Sequence, residues 1–286
     1  MLTNIINALC QTYLPDTAGF EKFKDNAGHI ELYITPECNQ KCTYCYLQKH
    51  MEDLYPKEIR NKEQILKNIE LLLNYFIESN FSLTRLDLFS GEIWGYPYSL
   101  KIFDIILAAI DRGLHVNCVS IPTNGSFCFS KDLIKILESY IARFDRRNVR
   151  LSFSLSYDGP LLDNEARPIN GQKIEKNEEF LTNMVNFAKR NNYGFHPMID
   201  ASTIEKQIDN YKAWIDIIYK YYHPKDMLTY YGLIMQLEVR DGKWTEDKII
   251  SYLKWLKFLI DTDINEFFHN NVNDFIQVPL THNLTL

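Results

Sequence analysis

The sequence has no run approaching the roughly 18 consecutive apolar residues that a membrane-spanning helix needs, and its N-terminus lacks the basic-then-apolar order of a secretory signal. Both absences point to a cytoplasmic protein with no membrane partner. Positive charge is in deficit: 31 Lys and Arg against 37 Asp and Glu leave a net charge of −6. A large phosphate-binding footprint needs a surplus of basic residues, so nucleic acid is disfavoured as a partner. The one basic run, Arg143, Arg146, Arg147 and Arg150, reads as a solvated helix end and turn. Low-complexity linkers and repeats of fixed period are also missing. Cysteine is scarce, with six in 286 residues and none after Cys128, too few and too uneven for a disulfide scaffold.

What is present suits a folded α/β protein. Hydrophobic residues make up 46% and charged residues 24%, ordinary soluble usage that supplies a buried core. Residues 2 to 14 form a candidate short amphipathic helix ended by Pro15. A strand is predicted at 29 to 35, where Ile30, Leu32 and Ile34 alternate with polar neighbours. Ile65, Leu66, Ile69, Leu72, Leu73, Phe76 and Ile77 then trace the apolar stripe of a helix over 59 to 79. Strands follow at 84 to 89, 115 to 121, 149 to 156, 194 to 199 (weakened by Pro197) and 229 to 237. Helices alternate with them at 98 to 112 (closed by Gly113), 131 to 144 (capped by Ser130), 176 to 191, 205 to 222, and from Thr245 onward. Six strand-then-helix units imply a parallel sheet with right-handed crossovers, either an open doubly wound sheet or a full or partial barrel.

Half of the cysteines stand together as Cys38-Asn39-Gln40-Lys41-Cys42-Thr43-Tyr44-Cys45, a C-x3-C-x2-C spacing directly after the first strand. A structural zinc site needs four N or S ligands, and His50 is the nearby candidate for the fourth. A [4Fe–4S] cube held by only three thiolates instead keeps one iron open for a small molecule. The remaining cysteines read as structural: Cys10 in a helix, Cys118 within a strand, and Cys128 just past a turn.

The three-cysteine loop, with aromatic Tyr44 just before its third cysteine, resembles the signature of the radical SAM superfamily. The resemblance implies a [4Fe–4S] cluster on Cys38, Cys42 and Cys45, whose open iron chelates the methionine half of S-adenosylmethionine (SAM), with the Tyr44 backbone meeting the adenine. Three further segments resemble the same family, each right after a predicted strand. Ser90-Gly91-Glu92 is similar to the Gly-Gly-Glu-Pro motif that engages the SAM amino group, although Ser90 replaces a glycine and Ile93 the proline. Thr123-Asn124-Gly125 looks like the family's Thr-Asn-Gly turn, and Asn124 is carried into the cofactor set. Ser156-Tyr157-Asp158-Gly159-Pro160 is similar to the Ser-x-Asp-Gly-Pro segment of SPASM-type, peptide- and protein-modifying members, which places Ser156 near the SAM ribose and Arg167 at the SAM carboxylate.

The fold implied is a partial (β/α)6 TIM-like barrel whose functional loops lie at the carboxyl ends of its parallel strands. Residues 1 to 28 read as an N-terminal helical extension, 29 to 268 as the radical SAM core, and 269 to 286 as the start of a truncated C-terminal extension. The cysteine-rich auxiliary-cluster region of SPASM enzymes is absent from this chain. The activity implied is reductive cleavage of SAM to a 5′-deoxyadenosyl radical. The implied partners are a peptide or protein substrate and an electron donor such as a flavodoxin or ferredoxin. Two other readings stay open: a radical SAM enzyme acting on a small molecule or RNA, and a non-catalytic zinc module. Asp200 reads as a helix cap in preference to a base, and the tyrosines at 219 to 231 as packing.

Overall fold

The computed structural model describes residues 28–45, 47, 61–169, 176–199, 201–221, 236–237 and 244–261. The predicted helix at 2 to 14, the segment 269 to 286, Cys10, His50 and Asp200 lie outside the described residues. In chain order the elements are β1 (Gly28–Tyr33), α1 (Lys62–Glu78), β2 (Ser82–Phe89), α2 (Ser99–Asp111), β3 (His115–Thr123), α3 (Lys131–Asp145) and β4 (Arg150–Leu155). A four-residue helix α4 (Asp163–Ala166) follows, then α5 (Glu178–Asn191), β5 (Met198–Ile199), α6 (Gln207–Tyr221), β6 (Gln236–Leu237) and α7 (Glu246–Asp261). The predicted strand-then-helix order is therefore observed throughout the described residues.

The first four strands form one parallel sheet in the order β1-β2-β3-β4, with β1 and β2 in register from His29 opposite Arg85 to Tyr33 opposite Phe89. Strands β5 and β6 pair in parallel as a separate two-residue ladder. The strand predicted at 194 to 199 is split by Pro197. Its first half bridges β4 through His196 N–H to the Leu155 carbonyl at 2.7 Å, and pairing resumes with β6 only at Met198. Proline supplies no N–H, so the ladder cannot run through it.

Helix and strand boundaries have local causes. The Asn61 side chain accepts from the N–H groups of Glu63 and Gln64, both at 3.1 Å, and starts α1. Ser130 accepts from Leu133 N–H at 3.2 Å, as its predicted cap role requires. Helix α1 ends in a left-handed Asn80 (φ 51°), with Phe81 N–H bonded to the Phe76 carbonyl and the Phe81 ring stacked on Phe76 at 5.4 Å. Gly113, Asn148 and Asn192 close α2, α3 and α5 in the same left-handed conformation. Each such reversal turns the chain into the segment that follows.

Contacts divide the chain into two compact units. The first comprises Met1–Pro36, Glu52–Ile121 and Leu137–Ser152. Its core sets Leu86, Leu88 and Val119 of the strands with Ile69, Leu73 and Phe76 of α1 and Ile102, Phe103 and Ile106 of α2, all buried. Phe103 meets Tyr140 at 5.2 Å edge to face. Arg143 pairs with Asp104 and Arg147 with Asp111, so two members of the basic run are neutralised on the surface. The second unit comprises Glu37–Met51, Pro122–Ile136 and Phe153–Leu286. Its core includes Phe127, Phe153 and Phe187, where Phe127 and Phe187 approach to 4.8 Å. Full burial of each Leu or Phe side chain contributes roughly 1.5–3 kcal/mol, enough to fix the strands that carry the loops described next.

Candidate functional site

The cysteine loop belongs to the second unit and is pinned along its length by the segment around α4. Lys41 N–H donates to the Pro168 carbonyl at 2.9 Å and Thr43 N–H to the Ala166 carbonyl at 3.0 Å, while Gln40 bridges Ile169. Cys45 N–H donates to the Cys42 carbonyl at 3.1 Å, which closes the turn that brings the last two cysteines to one end of the loop. Cys38, Cys42 and Cys45 are all half-buried and outside any disulfide.

Two donors approach the first sulfur. Gln40 N–H lies 3.4 Å from Cys38 Sγ and Asn124 Nδ2 lies 3.8 Å from it. The Asn124 amide is oriented by its own turn: Oδ1 accepts from Ser126 N–H at 2.9 Å, which leaves Nδ2 for Asn39 Oδ1 at 2.7 Å and for Cys38. Gly125 makes that turn possible at φ 74°. Donors of this kind stabilise a thiolate and tune a metal that it holds. Burial pushes the Cys42 thiol up to about 11. The neighbouring Cys45 and Asp158 add to that shift, and Arg167 and Lys176 oppose it. Cys42 is thus a thiol at neutral pH until a metal displaces its proton.

Three free, half-buried thiols on one loop are the donor chemistry that holds three corners of an iron–sulfur cube.

Asp158 lies at the centre of the neighbouring structure. Its carboxylate accepts from the Tyr44 hydroxyl and, at 2.7 Å, from Met198 N–H. Arg167 Nε stands 2.9 Å from the same carboxylate as an ion pair without hydrogen-bond alignment, and the guanidinium lies 5.2 Å over the Tyr44 ring. The Asp158 backbone is held too, its N–H by Asp163 Oδ1 at 2.9 Å and its carbonyl by Asn210 Nδ2 at 2.7 Å. Asp163 also pairs with Lys176. Burial pushes the Tyr44 hydroxyl far above its ordinary range, with Arg167 opposing and Asp158 adding to the shift. Burial disfavours the charge on Arg167, but Asp158, Tyr44 and Cys42 together outweigh it and hold the guanidinium protonated. Gly159 has φ 98°, and a Cβ there would meet Asn210 Nδ2 at 2.5 Å, so only glycine fits.

The structure thus brings Cys38, Cys42, Cys45, Tyr44, Asn124 and Arg167 into one connected set, with Arg167 engaged by Asp158. Ser156 is half-buried after β4, its N–H on the Thr123 carbonyl at 2.7 Å. Ser90, Gly91 and Glu92 belong to the first unit and follow the carboxyl end of β2, with Gly91 N–H on the Thr35 carbonyl at 2.7 Å. Glu92 is buried, and the buried Ser90 hydroxyl has no hydrogen-bond partner, an open polar position of the kind a ligand fills. Ile93, where the family motif has proline, is fully buried in that unit's core. Sequence reading missed Asp158, Asp163 and Lys176 as organisers of the site. The only signal for Asp158 was its place inside the Ser-x-Asp-Gly-Pro segment.

No protein-family model and no curated protein matches the chain. Solved structures do. Native anSMEcpe with bound AdoMet and the Cp18Cys peptide matches with a TM-score of 0.53 at 17% identity, over 82% of this chain and 62% of that one. Its complex with AdoMet and the Kp18Cys peptide gives 0.51 at 16% identity over 82% and 62%. A polyhistidine-tagged form with AdoMet gives 0.52 at 17% over 81% and 60%. The chain has the radical SAM fold. As a member of that fold class it is an α/β protein of the partial TIM-like barrel type. It spans about three fifths of the length of the radical SAM structures it matches. Among the described residues no helix is long and apolar enough to cross a membrane.

Proposed function

We propose that the chain is a radical SAM enzyme that carries a [4Fe–4S] cluster on Cys38, Cys42 and Cys45 and binds SAM. Held by those three thiolates, the cluster would pass one electron from an external donor to the sulfonium of SAM, chemistry that splits it into methionine and a 5′-deoxyadenosyl radical able to take hydrogen from a substrate. The protein's own part is placement. The cysteine loop offers three sulfurs and no fourth, Gln40 N–H and Asn124 stabilise the first thiolate, and the pinned turn keeps Tyr44 between the other two. Ser90, Gly91 and Glu92 are assigned to the SAM amino group, Glu92 supplying the negative charge and Ser90 an unspent hydroxyl. The Tyr44 backbone is assigned to the adenine, Ser156 to the ribose, and Arg167 to the carboxylate. The observation that carries the reading is the disulfide-free, half-buried cysteine triad, pinned on one loop of a radical SAM fold.

The proposed substrate is a peptide or protein side chain. The Ser156–Pro160 resemblance supports it, as does the peptide crystallised with anSMEcpe. A flavodoxin or ferredoxin is proposed as electron donor. Oxygen-free reconstitution tests the core claim: the wild-type chain takes up iron and sulfide and releases 5′-deoxyadenosine when reductant and SAM are added. Cys42→Ala loses that release by about a hundredfold or more, as removal of a cluster ligand demands. Equal release from both proteins, or bound zinc without iron or sulfide, overturns the proposal.

A further inference from the structure

Asp158 is one of the most heavily engaged side chains of the second unit, yet the proposed chemistry gives it no task. Two of its carboxylate contacts lead to the cysteine loop and to the segment that pins it. Its carboxylate holds the hydroxyl of Tyr44, the residue just before Cys45, and at the same time Arg167, whose guanidinium covers the ring of that tyrosine. Residues 166 and 168, on either side of Arg167, accept the loop's backbone N–H groups. Asp158 is itself fixed from three further sides, its carboxylate by Met198 N–H and its backbone by Asp163 and Asn210. Tyr44 is separated from Asp158 by 114 residues, so the loop cannot set this geometry by itself.

We propose that Asp158 is the positioning residue of the cysteine loop: it locks the Tyr44 side chain, directly and through Arg167, and thereby fixes where Cys42 and Cys45 present their sulfurs. On this assignment Arg167 acts first as a clamp on the loop. The function of the network is preorganisation, since a loop that must order itself around a bound group loses affinity and precision. The consequence for catalysis rests on the radical SAM reading above, whereas the clamp itself does not.

The test uses the full metal-free chain, with thiol labelling by a maleimide mapped to individual cysteines. In the wild-type protein Cys42 reacts slowly, and fully buried Cys128, outside this network, reports global folding. Asp158→Asn keeps the shape but removes the charge that holds Arg167. It raises the Cys42 labelling rate about tenfold while Cys128 stays protected, as local opening without global unfolding requires. Tyr44→Phe removes a single oxygen and raises the rate about threefold, the effect of one buried hydrogen bond. If Asp158→Asn also exposes Cys128, Tyr44→Phe decides the matter. An unchanged Cys42 rate in Tyr44→Phe overturns the clamp, as does an unchanged rate in a folded Asp158→Asn.

Spectroscopy supplies the readout that a merely structural aspartate would not move. Iron-loaded Asp158→Asn, at wild-type iron content, shows a diminished change in its reduced-state paramagnetic spectrum when SAM is added. A change of wild-type size overturns the positioning role. Because labelling needs neither iron nor SAM, a chain that never binds a cluster but labels as described sinks the enzyme reading and leaves the clamp standing.

Discussion

Each unit contains a buried aspartate held by two nitrogen-bearing side chains, and the two arrangements differ in exposure. In the first unit Asp87, 6% exposed, accepts from His29 at 2.5 Å and Arg85 at 2.7 Å, and Arg85 continues to Ser120 at 2.9 Å. Both of its partners are about half exposed, at 49% and 48%. In the second unit Arg167 keeps only 8% of its side chain in solvent, and Asp163 and Lys176 keep 2% each. Water replaces a partner of Asp87 far more readily than it replaces Lys176 or Arg167. Desolvation separates them: pairs with half-exposed partners on β1 and β2 are readily exchanged for solvent, whereas the buried pairs beside the cysteine loop depend on one another. His29, Glu31 and Asp87 are close enough to resemble a metal site, but Arg85 already supplies the positive charge there.

The largest effect that sharpens this contrast is expected from Asp163→Ala. It leaves Lys176 buried without its partner and costs about 3–5 kcal/mol, read as a lower urea midpoint. Asp87→Asn, the matched change in the first unit, costs about 1 kcal/mol or less, because its partners turn to solvent. Equal losses would erase the distinction drawn here. Gly159→Ala is expected to cost roughly 3 kcal/mol, from a strained φ of 98° together with the clash on Asn210. Gly113→Ala, with φ 106° but open space around the added methyl, costs about 1–2 kcal/mol, the strain alone.

The smallest effect concerns pH. The hydrogen bond from Arg147 holds the Asp111 carboxyl below its usual range, and the attraction of Arg147 and Arg143 adds to it. A depressed folded-state pKa means that its stabilisation is present above the ordinary carboxylate value, about 3.9, and is lost as pH falls through the lowered one. Asp111→Asn is therefore less stable than wild type near neutral pH, and the gap closes in acid. A gap that stays constant from neutral pH down into strong acid, measured by denaturant titration, would count against that cause.

Local structure was readable because its causes are local. The apolar stripe of α1, the alternation of Ile30 and Leu32 in β1, the Ser130 cap and the break at Pro197 all depend on neighbours a few residues away. Asparagine endings were not anticipated at Asn80, Asn148 and Asn192, since asparagine tolerates the left-handed region without announcing it as glycine does. The cysteine spacing and the three strand-end segments were likewise legible, being contiguous motifs.

The sequence by itself determined the order of strands and helices, the cysteine loop and the residue types that could serve a cluster and its cofactor, because periodicity, caps and spacing are properties of neighbouring residues. Only tertiary structure decided that Asn124 reaches Cys38, that Tyr44 bonds to Asp158 and that Arg167 pairs with that carboxylate. Those partners lie up to 114 residues apart, and a pairing over such a distance is chosen by packing of the whole unit and by the cost of burying a charge alone.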